Sequence, residues 1–169
     1  ELLKSTLRPS DVPPLAERAR TPALTILFHP QVGRIGEQAR LSALIEGQAC
    51  LLSRIEPAFA PPGSDAAEPL YAPFVSRRPV RLAPCGGGVR LVPATDADLV
   101  VDGEPLASPR DLGIESLDRG VVLEIGGRVV LLLHRLAAHA ARPLPRLGLV
   151  GDSEAIERVR AEVLKVADV

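Results

Sequence analysis

Aromatic residues are nearly missing from this chain: three Phe, one Tyr and no Trp in 169 residues. A core without large rings has to be built from Val, Leu, Ile and Ala, and the branched members of that set suit a pleated sheet. Met is absent altogether, position 1 included, which predicts a fragment cut from a longer protein. Cysteine is scarce too. Cys50 and Cys85 make neither a disulfide framework nor a metal-ligand spacing. Cys50 lies in an apolar run and reads as a small buried hydrophobe, Cys85 stands beside Gly86-Gly87-Gly88 in a turn, and a bridge or redox role for the pair stays open. The expected setting is a reducing cytoplasm. Neither a signal peptide nor a membrane span is expected, because no apolar run reaches about 18 residues. An excess of one charge is lacking as well. The 20 Lys and Arg against 21 Asp and Glu leave a net charge of -1. No global field therefore draws nucleic acid, an anionic membrane or an acidic partner, and any charged site is local.

What the chain has in plenty is punctuation. Seventeen Pro and fourteen Gly favour many short elements over long helices. Residues 1–21 mix Pro with charge and read as a flexible tail, with a short helical turn conceivable at Leu15 to Arg20. From Ala23 the character changes. "ALTILFH" (23–29) is a strand bounded by proline, and "GQACLLS" (47–53) is a second. "PVRLA" (79–83) and "VRLVP" (89–93) flank a glycine turn. "DLVVDG" (98–103) ends in Asp-Gly, and "GVVLEIGGRVVLLLHR" (120–135) is a hairpin around Gly126-Gly127. Short strands separated by turn signals predict a mainly β, antiparallel sandwich over 22–137. Residues 138–150 are a Pro-bearing linker. In 151–169 the period changes: Ile156, Val159, Val163 and Val166 share one helical face, and Ser153 suits the N-cap.

Chemistry is sparse. His29, His134 and His139 have no metal spacing, and no nucleophile or phosphate-loop motif occurs. The chain is expected to be neither an enzyme nor the holder of a cofactor. Two stretches stand out, "LLSRIEP" (51–57) and "FVSRRPVRL" (74–82). Each sets Ser beside Arg at a strand edge. A guanidinium offers five donors in a rigid fork that fits a phosphate bidentately, and a hydroxyl adds one more. Arg54, Ser76, Arg77 and Arg78 thus compose a phosphate-binding candidate. The plainer alternative pairs Arg54 with Glu56, Asp65 or Glu68.

The order of elements around these residues resembles the forkhead-associated (FHA) domain, a β-sandwich that binds phosphothreonine peptides through loops at one end. Ser53-Arg54 stands where the family has Gly-Arg. Ser76 opens the family's Ser-x-x-His, with Pro79 in the place of the histidine. "TDADLVVDGEPL" matches the family's third motif, with Asp102-Gly103 for its Asn-Gly and Ala97 or Asp98 for the asparagine that holds peptide backbone. The resemblance covers about residues 23–136. It implies a peptide-binding set of Arg54, Ser76, Arg77, Arg78, Ser53, Thr95, Asp96, Ala97 and Asp98. "VGRIG" (32–36) contains a literal Gly-Arg, which makes Arg34 a minor candidate.

The final stretch, "LVGDSEAIERVRAEVLKVADV", resembles the opening of the AAA+ domain of bacterial sigma-54-dependent activators. The combined resemblance implies a cytoplasmic sensory module of such a regulator. Its partners would be a phosphothreonine protein marked by a Ser/Thr kinase, or the chain's own tail phosphorylated at Thr6 or Thr21. Sigma-54 polymerase, DNA and ATP would be handled by other domains. The departures at Pro79 and Ala97/Asp98 motivate the alternative: a phosphate-independent interaction or homo-oligomerisation module on the same sandwich.

Overall fold

The computed structural model describes residues 20–64, 66–76, 78–94 and 98–137, together with 156, 159, 160, 162 and 163. Between 20 and 137 the described residues form twelve strands, two brief α-helices and one 3-10 turn at Val32–Arg34. A six-stranded antiparallel sheet runs in the order β2 (Gln38–Arg40), β1 (Arg20–Phe28), β12 (Val129–Ala137), β11 (Val121–Ile125), β8 (Leu99–Val101) and β9 (Glu104–Pro105). A four-stranded sheet follows the order β10 (Arg110–Leu112), β7 (Gly88–Val92), β6 (Val80–Cys85) and β3 (Cys50–Leu52). A small ladder pairs β4 (Ala58–Phe59) with β5 (Glu68–Pro69).

Strand alternation places the core. In the larger sheet the register aligns Leu24, Leu133 and Val121 in one row, and Ile26, Leu131, Leu123 and Val101 in the next. Every one of these side chains is buried. The facing sheet supplies Leu52, Val80, Leu82, Val89 and Leu91. Phe59 is the one aromatic ring among the largest fully buried side chains. Because successive residues of a strand point to opposite faces, each sheet needs only every second position to be apolar. This is how Val and Leu close a core almost without rings. The expected mainly β, antiparallel sandwich is therefore what the sheets form.

Several expectations shift at their edges. Strand β1 begins at Arg20, inside the predicted tail, and Thr21 pairs with Leu136 and is only 9% exposed. A residue held in a central strand does not offer its hydroxyl to a kinase, so Thr21 is withdrawn as a tail phosphosite. Thr6, the remainder of the tail and the linker lie outside the described residues. The strand expected at 47–53 shortens to Cys50–Leu52, because Gly47 takes a φ of 78° and turns the chain first. The helix α2 (Ile114–Arg119) had no periodic signature, since six residues bury one apolar side chain, Leu117. The brief helix α1 (Ser42–Ile45) is shorter still. Residues 156, 159, 160, 162 and 163 are helical, and Val159 and Val163 of the predicted apolar face are exposed. No described helix is long and apolar enough to cross a membrane.

The topology decides where the loops gather. Strands β3 and β6 are antiparallel neighbours with Leu52 opposite Val80. Arg54 follows Leu52 closely and Ser76 shortly precedes Val80, so pairing brings both to one end. Strand β7 ends opposite the start of β6, and β8 begins opposite Ile125, the last residue of β11. Hence Ser53 and Arg54 after β3, Arg78 and Pro79 before β6, Pro93 and Ala94 after β7, Asp98 before β8 and the hairpin 126–128 lie at the same end of the sandwich. The segment 29–37 joins them, because Phe28 lies opposite Val130 at the start of β12.

Candidate functional site

Backbone hydrogen bonds knit this loop end together. The Arg54 amide donates to the Ser76 carbonyl at 3.2 Å, and the Tyr71 amide donates to the Arg54 carbonyl at 3.0 Å. Arg54 is thus fixed between two loop segments that are distant in sequence. Its guanidinium is half-buried, and no described carboxylate lies within ion-pair distance of it. Glu56 and Glu68, the ordinary partners expected from sequence, leave it unengaged, and Asp65 lies outside the described residues. Tyr71 adopts a φ of 50°, which is uncommon for a bulky side chain. Such backbone persists where surrounding bonds over-determine it, and it concentrates at functional sites. Tyr71 is 60% exposed and Ile55, next to Arg54, is 55% exposed. A half-buried cation without a carboxylate partner thus stands in the chain beside two exposed apolar side chains, an arrangement compatible with a peptide lying across it.

The remaining candidates divide. The Ser76 hydroxyl is exposed and accepts the Arg78 amide at 3.0 Å, which leaves its own O–H free to donate elsewhere. Arg78 is exposed beside it. Asp98 is exposed, and its carbonyl accepts the Gly126 amide at 3.1 Å. Ser53 is turned inward at 4% exposure, where its Oγ accepts the amides of Ile55 and Glu56 at 3.3 and 3.2 Å. Its part is to shape the loop that carries Arg54, not to face a ligand. Arg77, Thr95, Asp96 and Ala97 lie outside the described residues.

Arg34 is corrected outright. It is 8% exposed and pairs with Glu37 through Nε at 2.9 Å and Nη2 at 2.7 Å. It also donates to the carbonyls of Glu68, Pro69 and Leu70 at 3.0, 2.8 and 3.0 Å. A guanidinium with every direction filled from inside has nothing left for a phosphate. The literal Gly-Arg marks a clamp between loops.

Between the sheets at this end opens a cleft of about 260 Å³. Leu52, Phe74, Leu99 and Ile125 form apolar walls, and Ser76 and Asp98 add polar ones. Small-molecule pockets run from roughly 300 to 1,000 Å³; this cleft is nearer the size of one or two side chains. The hairpin between β11 and β12 leans against it. A side chain at Gly126 would bring Cβ within 2.4 Å of the Phe74 carbonyl oxygen, so only glycine permits the approach. Arg128 on that hairpin stacks over the Phe74 ring at 5.4 Å. Sequence reading passed over Arg128 and Phe74, because their juxtaposition depends on a contact between segments about fifty residues apart (a spacing that carries no local signal).

The described residues contain no group of three or more His, Cys, Asp or Glu able to hold a metal ion. The two cysteines are free thiols in separate settings. Burial pushes the Cys50 thiol above its ordinary range, which keeps it protonated and inert.

The sequence matches no protein-family model. It also matches no curated protein. Its fold does have known counterparts. One is the solution structure of the FHA domain of an Arabidopsis thaliana hypothetical protein, with a TM-score of 0.50 and 14% identity, covering 73% of this chain and 92% of that one. At that identity the likeness establishes the fold class, and the chain carries an FHA-like antiparallel β-sandwich.

Proposed function

We propose that this chain reads phosphothreonine peptides and serves as the sensory module of a sigma-54-dependent transcription regulator. It binds and does not catalyse. The observation that supports the reading is the Arg54 amide donating to the Ser76 carbonyl at the loop end of an FHA-like sandwich, with no ion pair at the Arg54 guanidinium among the described residues and the Ser76 hydroxyl exposed. A phosphodianion placed there meets a bidentate donor and a hydroxyl, and Arg78 adds charge next to it. Each charge-assisted hydrogen bond contributes roughly 1.5–3 kcal/mol. Two or three of them, less the cost of association, give an affinity of about micromolar. That strength suits a reversible signal. A Ser/Thr kinase would write the mark on a partner or on the tail at Thr6. Cytoplasmic location follows from that role. The sequence from 151 resembles the start of an AAA+ domain and would couple peptide binding to assembly of the ATPase ring, which contacts sigma-54 polymerase while a further domain holds DNA.

Titration of matched phosphothreonine and unphosphorylated peptide libraries tests the reading. Phosphate-dependent binding should fall about 10- to 100-fold in Arg54→Ala. Equal binding of both libraries, or an Arg54→Ala variant that binds normally, would reject it.

A second reading rests on the exposed Ile55 and Tyr71 and on Asp98, an acid where the resemblance implies an amide. On that reading the same end captures a partner, or a second copy, without phosphate. Sedimentation at rising concentration, with Tyr71→Ala as control, discriminates: self-association that Tyr71→Ala abolishes supports it, and a monomer at every concentration counts against it.

A further inference from the structure

We infer that the loop 27–36 is a self-association surface, through which two copies of this chain pack apolar side chains on one another. The inference holds whichever reading of Arg54 is correct.

The loop sorts its side chains against the usual rule. His29 and Arg34 are buried, at 3% and 8% exposure. Leu27, Phe28, Val32 and Ile35 meet water at 43%, 51%, 72% and 45%. One exposed apolar residue needs no explanation, but a buried cation among four exposed apolar side chains does. The inversion begins in β1. Ile26 stands opposite Leu131 and Phe28 opposite Val130, so β1 advances two residues while β12 advances one. Leu27 is the extra residue of this bulge. Without it, strict alternation would turn Phe28 inward like Ile26. The bulge instead aligns Phe28 with Val130, which sits between the inward Val129 and Leu131 on the outer face of the sheet. The chain has three Phe, and this one stays out of the core.

The loop is held firmly in that arrangement. The Gly36 amide donates to the Ile26 carbonyl at 2.8 Å, and the Ile26 amide donates to the Glu37 carbonyl at 2.9 Å, which closes the loop at its base. Within it the Gln31 amide donates to His29 Nδ1 at 3.1 Å. Arg34 reaches inward to Glu37 and to the carbonyls of Glu68, Pro69 and Leu70. The polar side chains fasten the loop from inside and leave the apolar ones outward. A surface ordered in advance loses little freedom when a partner meets it.

Charge and backbone decide what fits. Arg34 is the one Lys, Arg, Asp or Glu in 27–36, and Glu37 pairs with it. The loop therefore has no charge to steer a charged peptide or nucleic acid, and no cation to hold an anionic lipid surface. The backbone beside it is taken as well. The Gln38 amide donates to the Ala60 carbonyl at 2.8 Å, and the Ala60 amide donates back to the Gln38 carbonyl at 3.0 Å. No extended segment can add itself as a strand there. What remains is side-chain packing against another neutral apolar surface. A second copy supplies one, because a two-fold axis sets the same patch against itself. A net charge of -1 puts little repulsion between copies. Stable interfaces cover roughly 800 Å² per partner. Four side chains give less, so the expected dimer is weak and reversible.

Sedimentation velocity of the chain from about 10 µM to about 1 mM tests this. The apparent mass of the wild type should climb towards twice that of the monomer. Val32→Asp and Ile35→Lys should each keep the wild-type urea midpoint, and should move half-association at least about tenfold higher in concentration. Backbone amide signals in NMR spectra should shift on dilution within 27–36 and at Val130. Tyr71→Ala should associate as the wild type does. A monomer at every concentration overturns the inference. So does association that survives both loop substitutions. Association that Tyr71→Ala alone abolishes also overturns it, and assigns the contact to the surface beside Arg54. A monomeric wild type that binds phosphatidylcholine vesicles, with binding lost in both loop variants, makes the loop a lipid contact and overturns it too. The phosphopeptide titration of Arg54→Ala reads a different surface, so its failure and this one are told apart.

Discussion

The two ends of the sandwich treat their charges in opposite ways. At the far end, tight glycine turns at Gly86-Gly87 and Gly103 reverse the chain. There and along the neighbouring strands, guanidinium groups meet carboxylates. Arg20 and Arg135 share Asp118, Arg110 reaches Glu104, and Arg90 forms a two-point pair with Asp111. The hydrogen bond and charge of the Arg90 fork lower the Asp111 carboxyl below its usual range. At the loop end, longer connections accompany one tight glycine hairpin at Gly126-Gly127, and Arg54 and Arg128 make no ion pair among the described residues. One arginine there, Arg34, is fully engaged, and it shows what engagement looks like: one part-buried carboxylate and three carbonyls around one guanidinium. The difference teaches that position in the loop end does not make a binding residue. What matters is whether the chain has already filled the side chain's hydrogen-bonding directions.

Arg34 and Arg54 sharpen that contrast most. Arg34→Ala should cost about 3–5 kcal/mol, because it strands a part-buried Glu37 carboxylate and three loop carbonyls. Arg54→Ala should change stability by about 0.5 kcal/mol or less, since no partner is left behind. Urea unfolding of both variants measures the gap. If Arg54→Ala proves as damaging as Arg34→Ala, the loop end is a structural clamp throughout and the binding reading loses its support. Next in size is Gly126→Val. It would press Cβ against the Phe74 carbonyl and place a branched residue at a φ of 57°. A loss of about 1–3 kcal/mol is expected. Its hairpin should move away from the cleft, which separates Arg128 from the Phe74 ring. Full retention of stability would mean that the hairpin rests only loosely on Phe74.

Much of the sandwich could be read from the sequence, and the reason is local. Gly126-Gly127 and Asp102-Gly103 announce their turns, and the runs Val121–Ile125 and Val129–Ala137 carry their own β signal. The position of Arg54 relative to Ser76 was legible for a different reason. Two antiparallel neighbours, β3 and β6, bracket the loop, so their ends must coincide. Where reading failed, the cause was contact at long range. Arg34 sits in a literal Gly-Arg, but its carbonyl partners come from Glu68 to Leu70. Nothing within a window around residue 34 reports them. Phe74 and Arg128 meet for the same reason. The two-residue strands β4 and β5 were unreadable because neither is long enough to show a period.

The smallest expected effect concerns the outer face of the larger sheet, away from both ends. His134 follows the inward Leu133 on β12, and its Nε2 lies 2.8 Å from the Thr25 hydroxyl. Burial holds the imidazole below its ordinary range, so the folded chain favours the neutral ring. The unfolded chain takes up a proton near pH 6.5 and the folded chain only at lower pH. In the interval between, the unfolded state binds more protons, and stability falls as the pH is lowered. Below the folded value the contribution is constant again. Denaturation midpoints taken between about pH 8 and pH 5 should therefore decline more steeply for the wild-type chain than for His134→Gln. Parallel profiles would mean that His134 titrates alike in both states. The acid sensitivity of the sandwich would then belong to its paired carboxylates, Asp118, Asp111 and Glu104 and, at the loop end, Glu37.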